Sequence, residues 1–189
     1  MTHDAMTHAA VTDQGTSSGR PDPTQDHPAL APDAPAPGPE RDSSRVHPPA
    51  RRVVRAAVTD APLDVAAHAA EVACATAGAV VTFSGDVRDH DGGRGVQHIE
   101  YVAHPSAGEV LARVVAEVTA RCDVDAVSVS HRLGVLRVGE CALAVAVSSA
   151  HRAEAFAAAG LLVDEVKHQL PVWKRQVLTD GSDEWVACP

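Results

Sequence analysis

Lysine is nearly missing from this chain of 189 residues. Lys167 and Lys174 are the only two among sixteen basic residues, so fourteen are arginine (16 − 2). A basic excess is missing as well: 25 acidic against 16 basic residues give a net charge of −9, which excludes the broad cationic surface that general nucleic-acid binding requires. No apolar run approaches the ~20 residues of a membrane span, and the polar start MTHDAMTHAA lacks the charged-then-apolar pattern of a secretory signal. A cytoplasmic protein is expected. Cys74, Cys122, Cys141 and Cys188 form no C-x-x-C pair, which argues against a structural zinc site or a dithiol redox centre. There is no G-x-G-x-x-G, no phosphate-binding P-loop and no internal repeat.

Proline is distributed unevenly, and the imbalance divides the chain. Nine of the thirteen prolines lie in residues 1–50, which contain no aromatic residue and few large aliphatics. Such a segment buries too little apolar surface to offset the entropy of ordering it, and residues 1–50 read as a disordered tail rich in Pro, Ala and Asp. Its histidines, His3, His8, His27 and His47, are spaced too loosely for a metal site. Residues 51–189 form the domain.

Within that domain, RRVVRAAVTD reads as a strand, and LDVAAHAAEVACAT carries helical spacing up to a stop at Gly78. GAVVTFSGDVR is a β-branched strand, DHDGGRG a loop without regular structure, and VQHIEYVA a strand expected to pair with GAVVTFSGDVR as a long-tipped hairpin. Residues 105–121 place Val110, Leu111, Val114, Val115 and Val118 on one helical face. VDAVSVSHRLG and VLRVGECALAVAVSSA give two or three strands. AHRAEAFAAAGLLVDEVKHQL is the third helix, ended by Pro171, and PVWKRQVLTDGSDEWVA is a hairpin about Asp180-Gly181. The order β-α-β-β-α-β-β-α-β-β predicts an α+β domain with three main helices and a largely antiparallel sheet.

Three constellations carry potential chemistry. Lysine, unlike arginine, can lose its proton and act as base or nucleophile, and burial or a neighbouring cation such as Arg175 would lower its ordinary pKa of ~10.4. In a chain that otherwise uses arginine, two amines seven residues apart around one proline point to amine chemistry. Phe156, Gly160, Val163 and Lys167 share helical spacing, so Lys167 is expected close to the apolar stripe. At the start of the same helix Ser148 and Ser149 are N-cap candidates, followed by His151 and Arg152. Two potential cations there suit an anion such as phosphate, unless Arg152 simply pairs with Glu154; both readings are open. In FSGDVRDHDGG, Arg88 ends a strand that feeds a glycine-rich loop, and Phe83 belongs to the core or lines a pocket for a flat ring. Asp86, Asp89, Asp91 and His90 have no fixed metal-ligand spacing and read as a solvated loop. Cys141 reads as a small core residue without the cations that would activate it.

GAVVTFSGDVR, IEY, SHRLGVLRVGE, VAVSSAHRAEAF, DEVKHQLPVWKR and DGSDEW, in this order and spacing, resemble the catalytic (large) subunit family of molybdopterin synthase over about residues 53–187. The resemblance implies an α/β hammerhead-like domain with an added antiparallel β subdomain. It implies a homodimer that receives a small ubiquitin-like sulfur carrier, whose C-terminal Gly-Gly thiocarboxylate enters the active site. The implied reaction transfers two sulfurs to cyclic pyranopterin monophosphate and forms the molybdopterin dithiolene, with no cofactor and no metal. Lys167 and Lys174 match the family's catalytic amines. His151 and Arg152 match its HR pair, implied to bind substrate, sometimes from the dimer partner. Arg88 matches an arginine that contacts substrate or carrier tail, beside Phe83, Asp86 and Val87; Arg175 and Gln176 flank Lys174 in the same role. The stretch VAHPSAG departs from the family pattern.

Two other function classes compete: a non-catalytic module that docks a ubiquitin-like carrier, and a phosphate sensor built on residues 149–152. Docking alone would be served by arginine, so retention of both lysines favours the enzyme. Because the tail has nothing to bury, deletion of residues 1–48 is expected to leave a soluble, folded protein; loss of soluble protein in size-exclusion chromatography would show that the tail is part of the fold.

Overall fold

The computed structural model describes residues 46–187. The tail assigned to residues 1–50 therefore lies outside the described residues up to position 45, as does Cys188. The elements are β1 (Arg52–Thr59), α1 (Val65–Val72), β2 (Ala79–Asp86), β3 (His90–Asp91), β4 (Arg94–Ala103) and α2 (Ala107–Arg121). They continue with β5 (Ala126–Arg132), β6 (Gly134–Arg137), β7 (Cys141–Ser149), α3 (Arg152–Gln169), β8 (Val172–Leu178) and β9 (Asp183–Ala187).

The strands form two sheets. One has the order β1-β5-β7-β2; the other runs β3-β4-β8-β9, with β6 also paired to β4. Only β1 and β5 run parallel, as the mostly antiparallel expectation requires. The alternating β5 (AVSVSHR) and the apolar run of β7 are central strands buried on both faces. Alternation decides which helix each face receives. Val127, Val129, Val145 and Val147 meet Leu111, Val114, Val115 and Val118 of α2 and Leu162 and Val166 of α3. Ala126 and Ala146 meet Val72 of α1. On the α1 side the packing is partly polar. His68 is buried, with Nε2 2.8 Å from the Ser130 hydroxyl and Nδ1 2.6 Å from the Asp64 carbonyl, and the Ser128 hydroxyl donates to Glu71 at 2.8 Å. The second sheet closes its own small core from Val87, Val96, Ile99, Leu136, Ala142 and Leu178.

Four expectations need correction. The expected β2–β4 hairpin does not form: β2 pairs with β7, and a register shift between Gly85 and Asp86 turns the chain out of the first sheet, so that β4 pairs with β3, β6 and β8 in the second. The loop DHDGGRG contains regular pairing after all, because Gly92 and Gly93 adopt φ of 54° and 79° and close a tight turn between His90–Asp91 and Arg94–Gly95. Helix α1 stops at Val72, six residues short of Gly78. Only His68 and Val72 are buried on it, and the following Ala73, Cys74, Ala75 and Thr76 offer no large side chain to prolong the packing that sustains a short helix. Ser148 and Ser149 do not cap α3. Both are fully buried at the end of β7, Ser149 donates to the Asp123 carbonyl at 2.7 Å, and His151 is the N-cap without a side-chain cap bond.

Gly78 has a different reason to be glycine. A Cβ placed there would lie well inside van der Waals contact with the Ala150 carbonyl oxygen, a backbone atom that cannot swing aside. Gly78→Ala should therefore destabilise the protein by about 1–3 kcal/mol through the shift it forces on β2. Urea denaturation at neutral pH checks this, and an unchanged midpoint would show that the approach relaxes freely.

Candidate active site

The site begins where α3 ends. Proline cannot continue the helical hydrogen bonding and drives the preceding residue to extended backbone; Leu170 accordingly has φ −71° and ψ 120°, and β8 begins at Val172. The chain reverses over Leu170-Pro171, and the Pro171 carbonyl accepts from the His104 backbone N–H at 3.0 Å. Lys167, in the last turn of α3, and Lys174, the third residue of β8, thereby line the same two adjoining cavities.

The first cavity, about 250 Å³, lies between the sheets beneath the end of α3, with Tyr101, His131, Leu143 and Leu170 in its walls. The second, about 320 Å³, opens toward the β3–β4 hairpin and is lined by Val87, Arg88, His90, Asp91 and Gln176. Asp86, Tyr101, Lys167 and Lys174 border both. Lys167 is exposed, and no hydrogen bond or ion pair holds it among the described residues. Lys174 is half-buried, with Nζ 3.6 Å from Asp91 Oδ2, and Arg88 donates to Asp91 Oδ1 at 2.8 Å. The Lys174 ammonium, followed by Arg88, holds the Asp91 carboxyl below the usual carboxylate range, burial opposing.

The structure sorts the expected residues. Lys167, Lys174, Arg88, Asp86, Val87 and Gln176 come together around the cavities. Phe83 does not line them: it packs against the main core beside Gly85. Arg175 lies on the opposite face of β8 from Lys174, as strand alternation demands, and binds Asp183 at 2.8 Å and Glu100 at 3.4 Å. It is not the cationic neighbour of the lysines. His151 and Arg152 begin α3 and Lys167 lies fifteen residues on, so at 1.5 Å per residue they are ~22 Å apart within one chain. Arg152 is exposed and makes no pair with Glu154, whose buried Oε2 has no hydrogen-bond partner. Nor does Lys167 lie on the buried stripe, which is Ala155, Ala158, Ala159, Leu162 and Val166; Phe156 is 65% exposed.

Two wall residues carry no distinctive sequence signal of a site. Tyr101, the sole tyrosine, faces the cavity from β4, and its ring meets His131 of β5 edge to face at a centroid distance of 5.3 Å. The alternation of Ile99, Tyr101 and Ala103 in β4 is the signal that places Tyr101 inward. His131 is buried, with Nδ1 2.9 Å from the Arg132 carbonyl, so Nδ1 carries the proton when the ring is neutral. Arg132 is itself paired with Glu140 at 3.0 Å. Among the described residues no group of three or more His, Cys, Asp or Glu is placed to hold a metal ion. Burial raises the pKa of the Cys141 thiol, in keeping with an unactivated cysteine.

Comparison with known proteins now decides the family. The family model described as MoaE protein matches residues 58–169, more than half of the chain. The chain belongs to the MoaE family. It is 37% identical over 133 residues to molybdopterin synthase catalytic subunit 1 of Mycobacterium tuberculosis, covering 68% of this chain and 88% of that protein. It is 34% identical over 130 residues to the molybdopterin synthase catalytic subunit of Bacillus subtilis, covering 68% and 82%. In structure it is similar to molybdopterin synthase from Staphylococcus aureus, with a TM-score of 0.64 at 29% identity, covering 68% of this chain and 94% of that one. The family match includes Lys167 and stops short of Lys174, so the second lysine is placed by the geometry at Pro171.

Desolvation pushes the His131 pKa below its ordinary 6.5, opposed by the hydrogen bond to the Arg132 carbonyl. As pH falls below about 6.5 the unfolded chain takes up this proton before the folded one does, so stability should drop on acidification through that range. NMR titration of the His131 ring should show a midpoint below 6.5. A midpoint at or above the ordinary value would mean that the ring is solvated.

Proposed function

We propose that this member of the molybdopterin synthase catalytic-subunit family transfers sulfur from the C-terminal Gly-Gly thiocarboxylate of a small ubiquitin-like carrier to cyclic pyranopterin monophosphate, forming the molybdopterin dithiolene. Family membership makes the chain an enzyme, a sulfurtransferase. The observation that carries the reaction is that the chain's only two lysines line one pair of adjoining cavities, with Arg88 at the mouth. Both the carrier tail and the substrate phosphate are anionic, and these three cations offset that charge inside a net-acidic protein.

Lys167 is the amine that polarises the thiocarboxylate or exchanges a proton as its sulfur attacks the pterin side chain; water then replaces sulfur on the acyl carbon and the carrier leaves as a carboxylate. Lys174, held at Asp91, binds substrate or assists proton transfer. Sulfur comes from the carrier, so no thiol of this chain has to be activated. Arg88, Asp86, Val87 and Gln176 form the surroundings that receive tail or substrate. His151 and Arg152 lie too far from the lysines of their own chain to contact the same substrate. We therefore assign them to the site of a second copy in a homodimer. Val102, Trp173 and Trp185 are exposed on the outer face of the second sheet, which provides apolar surface for such an association. A cytoplasmic location suits this chemistry, and no helix among the described residues is long and apolar enough to cross a membrane.

The test is to mix the purified protein with thiocarboxylated carrier and cyclic pterin and to assay dithiolene formation for wild type, Lys167→Ala and Lys174→Ala. Loss of an acid–base amine should lower the rate of Lys167→Ala by about 10²–10⁴-fold, and Lys174→Ala should be impaired as well. A wild type that makes no dithiolene, or a fully active Lys167→Ala, overturns the reading. A protein that binds carrier equally well with both lysines removed, and makes no product in any form, would be a docking module.

A further inference from the structure

By sequence spacing Asp91 is one acid of a solvated loop, and in the proposed reaction it only adjoins Lys174. Its placement is specific. The β3–β4 hairpin is anchored on one side by Arg94, which reaches Ser182 at 2.6 Å, Asp180 at 3.2 Å and Glu184 at 3.4 Å at the β8–β9 turn. The tip is unconstrained by packing: a side chain added at Gly92 or Gly93 would meet nothing within 4 Å. Directly across the hairpin from Arg94, Asp91 turns back toward the cavity, one carboxylate oxygen on Arg88 and the other toward Lys174. Its side chain is 28% exposed and that of Lys174 21%. The pair is thus shielded from bulk water on the protein side and open at the cavity mouth.

Resting on the carrier-tail reading above, we propose that Asp91 is a positioning residue, the resident counter-ion of Lys174, whose carboxylate takes the place on the ammonium that the anionic end of an incoming chain must occupy. A carboxylate held by two cations is the same chemical group as a C-terminal carboxylate and a close analogue of a thiocarboxylate. Entry of the chain end is then an exchange of anions rather than the filling of a bare cationic site. Asp91 keeps the amine pointed into the cavity and weakens its attraction for unrelated anions, because any anion must first displace it. The hairpin geometry suits the exchange: Arg94 holds its own strand in place, and the open space around the Gly92-Gly93 turn leaves room for the Asp91 side chain to swing off the ammonium.

The two-lysine composition supplies a direct assay. Acetylation with an N-hydroxysuccinimide ester, read site by site by mass spectrometry, reports Lys174 with Lys167, exposed and unpaired among the described residues, as internal reference; the N-terminal amine is resolved separately. At fixed pH and low salt, Asp91→Asn should acetylate Lys174 about two- to fivefold faster than wild type, the scale of a partly exposed ion pair. Lys167 should be unchanged, and Asp91→Glu should return Lys174 toward the wild-type rate. Asp91→Ser provides a second neutral variant should Asp91→Asn fold poorly. An unchanged Lys174 rate in both neutral variants overturns the counter-ion role.

A synthetic peptide ending in Gly-Gly with a free carboxylate separates this inference from the one beneath it. The peptide should protect Lys174 from acetylation and bind the neutral variants about two- to fivefold more tightly than wild type. If the labelling shifts as expected and the peptide binds neither form, the carrier-tail reading fails and the counter-ion stands. If wild type binds the peptide and the neutral variants bind it equally or more weakly, displacement of Asp91 is overturned.

Discussion

The arrangement depends on the break at Leu170-Pro171. A helix that ran one more turn would carry the lysine-bearing segment past the second sheet, and a flexible linker would leave the two amines uncorrelated. Proline removes a backbone donor, fixes its own φ and forces Leu170 to extended geometry, so the reversal is sharp and set locally. The hydrogen bond from His104 N–H to the Pro171 carbonyl then ties the reversal to the end of β4. Through that one junction the helix layer, both sheets and the cavity walls share a common corner.

Charge is distributed so that cations in the structural role are already occupied. Arg51 binds Asp123, Arg55 binds Glu71, Arg121 binds Glu165, Arg132 binds Glu140, and Arg175 binds Asp183 and Glu100. Most of these pairs are exposed and contribute little stability each. Their consequence is electrostatic selectivity: in a net-acidic chain, positive potential survives mainly where a cation is left unpaired or is shared. Among the described residues the side chains of Lys167, Arg152, Arg52 and Arg137 are unpaired, and Arg88 and Lys174 share one carboxylate at the cavity.

The element order was readable in the sequence because β5, β7 and α2 have strong periodicity, and the lysines were readable because scarcity itself is a signal. Arg175 is adjacent to Lys174 in sequence but not in space, because period-2 alternation along β8 puts it on the far face. His131 and Tyr101 are hidden in the sequence, since in a buried strand a cavity wall and a core wall have the same pattern. Pairing of β2 with β7 rather than β4 is a long-range choice, decided by which strand buries both faces and not by local turn signals. The end of α1 at Val72 likewise follows from what the helix packs against, which spacing alone does not encode.

Helix α3 has a consequence beyond its packing. It joins the His151–Arg152 end to the Lys167 end in a single uninterrupted span of 18 residues, with no proline or bulge to absorb a change of length. Each residue of an α-helix turns the chain by ~100° and advances it by ~1.5 Å. One inserted or deleted residue between Arg152 and Lys167 would therefore swing the two ends onto different faces, whereas substitutions on its exposed side leave their phase intact. The helix acts as a ruler with a fixed twist. Its length in residues, more than their identity, is the quantity under constraint.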